Sequence, residues 1–383
     1  MKAKTIKGNS PAEILTALDA SKSDGFKPTL AVITLTNMEN VEAVQSIFDR
    51  NGIAIFGIST SQKFTEQGIE PDDIAVMLMD IKPEHFSIEL NDYGEFSAYN
   101  AGYKAGLAGM SLFKNPGFII SPIDFTISGD ELIRGLTDAA GQDVAIMGGV
   151  AGNPYDGAGI VFTNARSSKG ALLVLIIDQD KILTTGLAVS GWKPVGTTKK
   201  VTKCEGAWVF TIDHEPAMQV IQRFLGNEMI ISTDHESGLL PSDLGYPLQF
   251  ERASGNVIMK PALFFNPANQ SVMMGSNVKE GDVFRFSLPP DFEVIDKVVE
   301  STRTIKERDM PDADAMLVFS CVGRLGTFGP MIDSEIEGLA GIWSKPMLGF
   351  FSLGEFGKLD DTRSEFHGTT VSWVALKEKA PNP

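Results

Sequence analysis

Thiols and imidazoles are scarce in this chain, with two cysteines and four histidines among 383 residues. Two cysteines, Cys204 and Cys321, cannot build a disulfide framework and fit a reducing compartment. No Cys-x-x-Cys pair and no Cys/His spacing of a zinc site occurs, so no metal is expected. Positive charge is also short, 33 Lys and Arg against 49 Asp and Glu, for a net charge of −16. That balance excludes a phosphate-neutralising nucleic-acid surface and argues equally against an anionic membrane partner. Its ordinary consequence is solubility. Long apolar runs are missing too. The longest, Ala171 to Ile177, is far shorter than the roughly 20 residues a spanning helix needs. The opening stretch MKAKTIKGNSPAEIL lacks the apolar core of a secretory signal. These absences together lead us to expect a cytoplasmic protein. Glycine is plentiful, at 38 residues, yet none of it forms a GxGxxG or GxxxxGK[ST] fingerprint, so no nucleotide cofactor is expected. No pattern of this kind fixes the oligomeric state.

What the sequence does contain is one unit written three times. The first copy reads TLAVITLT, a helix over Val41–Arg50, GIAIFGISTSQKF and DDIAVMLMDI. The second reads GFIISPI, a helix over Asp130–Ala140, DVAIMGGVAGNP and KGALLVLIID. The third reads AMLVFSCVGR, a helix over Asp333–Trp343, KPMLGFFSLGEFG and GTTVSWVAL. Short β-branched or apolar runs bounded by turn residues predict strands. Apolar residues three and four apart, such as Val41, Val44, Ile47 and Phe48, predict the helices. Gly57, Gly148 and Gly349 recur near the end of the second strand, where the lack of a Cβ permits close approach of backbone or ligand. Small residues at Ala98, Gly102, Ala105, Gly106 and Gly109 predict a helix with a tight packing face. HEPAMQVIQRFLG predicts a further helix, and LFFNPANQSVMMG a hairpin turning at Asn266-Pro267. The expected class is α/β in the mixed α+β sense: mixed sheets flanked by helices, in two lobes built from repeated strand-helix-strand-strand units. The lobes divide as 1–200 and 201–383, joined through VSGWKPVGTTKK.

Candidate chemistry concentrates in the third copy. Cys321 ends an apolar strand three residues before Arg324. As a nucleophile it would need a base, with His367 the candidate, and a lowered pKa; otherwise it is a pocket wall or packing, together with the adjacent Ser320. Arg324 in its glycine-bounded turn either grips a carboxylate or phosphate bidentately or forms an ion pair with Glu335 or Glu355. Gly354-Glu355 and His367 stand at neighbouring strand ends, where open α/β sheets hold ligands. ISTSQ (58–62) and GGVAGNP (148–154) occupy the same place in the other two copies and either donate to an anion or simply turn the chain. The Asp213-His214-Glu215 and Asp234-His235-Glu236 triplets make poor metal sites, because consecutive side chains diverge.

The third copy, LVFSCVGRLGTFG…SEIEGLAG…PMLGFFSLGEFG…FHGTTVSWVAL, resembles the C-terminal part of the FIST family. FGISTSQKF and IMGGVAGN…GALLVLII resemble its N-terminal half, and RASGNVIMKPALFFNPANQSVMMGSNVKEGDVFRFSL the start of its C-terminal half. STSQKF departs from the STAGE-like pattern usual there, with Gln62 and Lys63 in place of Gly and Glu. The resemblance implies a sensory module that binds a small ligand, an amino acid or small carboxylate, and signals through a separate protein. The departure at Lys63 places that ligand in the C-terminal half, with Ser320, Cys321, Arg324, Gly354, Glu355 and His367 as candidate binding residues and no catalytic residue. Two alternatives stand beside it: a Cys321-dependent hydrolase or transferase on the same scaffold, and an interaction scaffold without a ligand.

Overall fold

The computed structural model describes residues 1–93, 97–123, 127–154, 157–226, 239–241, 245–252, 255–288, 290–359 and 363–379. Eight elements recur in one order. The first run is β1 (Ala3–Gly8), α1 (Pro11–Ser21), β2 (Leu30–Leu35), α2 (Val41–Arg50), β3 (Ala54–Ser59), β4 (Lys63–Thr65), β5 (Gly68–Ile69) and β6 (Ile74–Met79). The second is β7 (Phe86–Asp92), α3 (Ala98–Leu112), β8 (Pro116–Pro122), α4 (Gly129–Ala140), β9 (Ile146–Gly149), β10 (Val161–Phe162), β11 (Ser167–Ser168) and β12 (Ala171–Asp178). The third opens with β13 (Ile182–Val189) and is then interrupted. The insertion holds β14 (Pro194–Glu205), β15 (Trp208–Ile212), β16 (Glu215–Pro216), α5 (Ala217–Leu225), β17 (Leu240–Pro241), β18 (Leu248–Glu251), β19 (Val257–Lys260), β20 (Ala262–Asn266), β21 (Ser271–Met274) and β22 (Val283–Ser287). The run then resumes with α6 (Phe292–Asp309), β23 (Ala315–Cys321), the short α7 (Val322–Phe328), α8 (Ile332–Trp343), β24 (Met347–Ser352), β25 (Glu355–Lys358), β26 (Ser364–His367) and β27 (Val371–Glu378).

Each run builds one mixed sheet with the same strand order: β1-β6-β2-β3, β7-β12-β8-β9 and β13-β27-β23-β24. In each, the two strands joined by the second helix lie parallel. The short hairpin that follows leaves its own sheet. β4–β5 extends the third sheet, β10–β11 the first, and β25–β26 the second, so the three runs exchange hairpins in a cycle. The recurring glycines mark the seams. Phe162 lies opposite Gly57, Phe356 opposite Gly148 and Phe64 opposite Gly349. All three rings are fully buried, and a Cβ on Gly57 or Gly349 would drive into the ring of Phe162 or Phe64. A glycine under a cross-strand aromatic is thus a docking notch for the incoming hairpin.

The inner faces of the three sheets meet in one core. Val32, Phe56 and Met77 come from the first, Ile119, Met147 and Leu173 from the second, and Leu317, Phe350 and Val374 from the third. Helices cover the outer faces: α1 and α2, α3 and α4, α6 and α8. The small-residue face of α3 does pack closely. Gly102 lies over the Leu132 carbonyl and Gly135 over that of Tyr99, with no room for a Cβ at either. The insertion forms a fourth sheet with its own core around Val209, Ile221, Phe250 and Phe284. Residue 200 lies inside β14, and the third sheet draws β4–β5 and β13 from before it. Asp213-His214-Glu215 forms a turn between β15 and β16, with Asp213 at φ 50° and His214 at φ 67°. The second triplet lies outside the described residues. Among the described residues no group of three or more His, Cys, Asp or Glu side chains is placed to hold a metal, and no helix is long and apolar enough to cross a membrane.

Candidate functional site

The C-terminal ends of β23 and β24 and the N-terminal ends of β25 and β27 converge at one rim of the third sheet. Cys321 lies beside Ser352 in register, and its N–H donates to the Thr370 carbonyl at 2.9 Å. Glu355 opens β25 and is fully buried. Its Oε2 accepts from Thr370 N at 3.2 Å and Thr370 Oγ1 at 2.9 Å, and its Oε1 lies 2.6 Å from Ser352 Oγ. The Cys321 thiol lies close to this carboxyl.

Hydrogen counting bears on the state of Glu355. Ser352 Oγ is within reach of both Glu355 Oε1 and the Ser320 carbonyl, the latter at 3.1 Å, yet a hydroxyl has one hydrogen to donate. With Glu355 ionised, Ser352 donates to Oε1 and leaves the Ser320 carbonyl unserved; with a proton on Oε1, Glu355 donates to Ser352 and Ser352 to Ser320, so both contacts are served. Burial favours the same form, pushing the Glu355 pKa up to about 8 against the opposing hydrogen bonds. Burial, and then the neighbouring Glu355, push the Cys321 thiol well above its ordinary range. Such a thiol is not an activated nucleophile.

The remaining candidates are placed differently from the expected convergence. Arg324 is fully buried and pairs with Glu335: Nε donates to Oε1 at 3.1 Å, and Nη2 bonds Oε2. Its Nη1 donates to the Ser190 carbonyl at 2.8 Å and the Thr369 carbonyl at 3.4 Å. The guanidinium lies over the rings of Trp192 and Phe328 at 4.9 and 5.1 Å. Of the two readings open for Arg324, the ion pair with Glu335 is the one observed, because the planar fork is already filled. Glu355 and His367 are register partners in the β25–β26 hairpin. The His367 ring, however, bonds through Nε2 to the Gly357 carbonyl at 3.3 Å, and burial lowers its pKa to about 4. Among the described residues no hydrogen bond joins His367 to Cys321, and none joins Arg324 to Glu355. Gly354 gives its carbonyl to Val150 N at 2.8 Å and lies under the Phe366 ring. Ser320 Oγ and Thr369 Oγ1 are buried without a partner among the described residues. Thr369 holds φ at 58°, an uncommon conformation for a β-branched residue.

A cleft of about 420 Å³ opens beside this cluster, between the third sheet and the insertion. Val189, Trp192, Val257 and Met259 give it apolar walls, and Lys297 stands on its exposed lip. Its floor includes Ser190, which Arg324 holds, and Thr370, which holds Glu355. Sequence reasoning missed the cleft. Its walls come from the connector and the insertion, and nothing marks a Trp or Met there as other than core.

The threefold repetition supplies an internal comparison. Strand register matches Cys321, Ser352, Glu355 and Thr370 to Thr36, Thr60, Lys63 and Asp73 in the first run, and to Ile123, Ala151, Val161 and Ala171 in the second. The four residues of the second run all sit in the central apolar core. The backbone arrangement therefore stands on hydrocarbon alone, and the acid of the third run is not something the fold demands.

A FIST N domain model matches residues 31–215, and a FIST C domain model matches residues 217–358. A search of curated proteins returned no match. Among solved structures, cyanuric acid hydrolase from A. caulinodans aligns over 99% of both chains at 8% identity and a TM-score of 0.38, too loose a likeness to carry an argument. The two domain models run end to end over most of the chain; the C-terminal segments from LVFSCVGRLGTFG through PMLGFFSLGEFG fall within the second, and FHGTTVSWVAL lies just beyond it. The chain belongs to the FIST family.

Proposed function

We propose that this protein is a sensor that binds a small carboxylate, amino acids included, in the cleft beside Thr370 and passes the bound state to a separate partner protein. FIST domains are small-ligand sensory domains of signalling proteins. The observation that carries the reading is the Glu355 cluster. A neutral acid, a thiol and two hydroxyls are buried where the second run keeps only hydrocarbon, and one of them, Thr370, also lines a cleft. Burying polar groups costs stability unless they are paired, so their presence at a site the fold can fill with methyl groups points to use. The Lys297 amine supports a carboxylate at the lip, and the walls around Trp192 and Met259 support an apolar tail. The alternative of Cys321 chemistry has little support, since the thiol is buried, raised in pKa and without an imidazole partner.

A thermal-shift series over amino acids and short carboxylates tests the proposal. A ligand at a hundred times its Kd stabilises the native state by about 2.7 kcal/mol. The expected outcome is a dose-dependent rise in Tm for wild type that is lost in Thr370→Val and weakened in Lys297→Ala. If no compound shifts the wild type, or if the shift survives both changes, the proposal fails and the ligand-free scaffold gains.

A further inference from the structure

The counterpart of Glu355 in the first run is Lys63, and its surroundings are unusual for a lysine. The side chain is 1% exposed. Among the described residues its Nζ makes no hydrogen bond and no ion pair. The nearby carboxylates are occupied. Asp73 accepts from Thr36 N at 3.2 Å, Asn37 N at 2.6 Å and Asn40 Nδ2 at 2.7 Å. Glu70 is held by Lys7 at 2.8 Å and by Thr65 Oγ1 at 2.5 Å. Register places Lys63 opposite Phe350, a residue of the central core. Desolvation lowers its pKa in spite of Asp73, Glu70 and Asp72. As with Glu355, the fold does not ask for this residue, since Val161 fills the same place in the second run.

We infer that Lys63 is a second functional site, separate from the cleft, whose amine captures a small neutral aldehyde or ketone as an imine. A buried amine without a counter-ion is a nucleophile rather than an anion holder. The carboxylates of Asp72, Asp73 and Glu70 disfavour an anionic reactant, which selects an uncharged carbonyl compound. Gln62, the residue before it in the chain, is exposed, as is Thr36, the counterpart of Cys321. In the reaction the Nζ lone pair forms a bond to the carbonyl carbon, and the π electrons move to oxygen. The two protons lost from nitrogen leave with that oxygen as water, and the C=N bond remains. No oxidant or further reactant is required.

The test exposes the full folded chain to substoichiometric acetaldehyde near pH 6.5, traps imines with cyanoborohydride, and maps them by peptide mass spectrometry. Lys63 is expected to be modified ahead of exposed Lys27 and Lys169, since a lowered pKa leaves more of the amine free. The preference should vanish in denaturant, and Lys63→Met should leave the surface pattern unchanged. Modification of Lys63 no earlier than surface lysines in the folded wild-type chain overturns the inference. That comparison needs no variant, and it is independent of whether the cleft binds a carboxylate.

Discussion

A single proton on Glu355 has a consequence for the whole stability curve. Its folded pKa of about 8 lies above the ordinary carboxyl value of 4.5, so the folded state holds a proton the unfolded chain has released. The resulting stability is full below pH 4.5 and falls as pH rises to about 8, by at most about 1.4 kcal/mol per unit. His367 acts oppositely. Its folded pKa of about 4 lies below 6.5, so its effect rises between those values and is flat above. Between pH 6.5 and 8 the slope belongs to Glu355. Chemical denaturation across that window should show wild type losing stability while Glu355→Gln stays level; equal slopes would mean the carboxyl is ionised throughout. The Arg324–Glu335 pair makes a second residue-scale statement. Both partners are buried, so Glu335→Gln leaves a guanidinium unpaired and should cost about 3–5 kcal/mol in urea unfolding, while the apolar double change Arg324→Met/Glu335→Leu should recover most of it.

Elements here are held by their neighbours more than by themselves. β4, β5, β10 and β11 are two or three residues long, too short to read as strands by alternation, and only the glycines that β4 and β10 cover mark them in the sequence. The longer β2, β8, β12, β23 and β27 were legible because buried strands are nearly continuous apolar runs. At the seam, Phe64→Ala would leave Gly349 facing a void. The expected cost is about 3–5 kcal/mol, with hydrogen exchange rising first in β4 and the facing edge of β24. Protection unchanged in both strands would show that the ring does not hold the hairpin.

On the scale of the molecule, the repetition was readable and the exchange of hairpins was not. Copies of one pattern announce a shared unit, but which sheet a hairpin joins depends on contacts hundreds of residues apart, such as Phe351 N to the Gln62 carbonyl at 3.0 Å. The candidate site divided in the same way. Ser320 and Cys321 end β23 and Glu355 opens β25, and they meet at one rim because Ser352, at the end of the adjacent β24, bonds both the Ser320 carbonyl and Glu355. Arg324 left them for Glu335 because a helical turn after β23 carries it onto α8. Lys63 was visible as a departure from the family pattern, but its significance required register, which identifies it as the counterpart of Glu355.

The cyclic loan of hairpins also bears on how such a molecule can be taken apart. A fragment covering only residues 1–79 would carry a hairpin with nowhere to dock and a notched edge at Gly57 with nothing to fill it. Three such fragments could satisfy one another head to tail around a closed ring, each lending what the next one lacks. The intact chain is, in that sense, a trimer tied into one polypeptide.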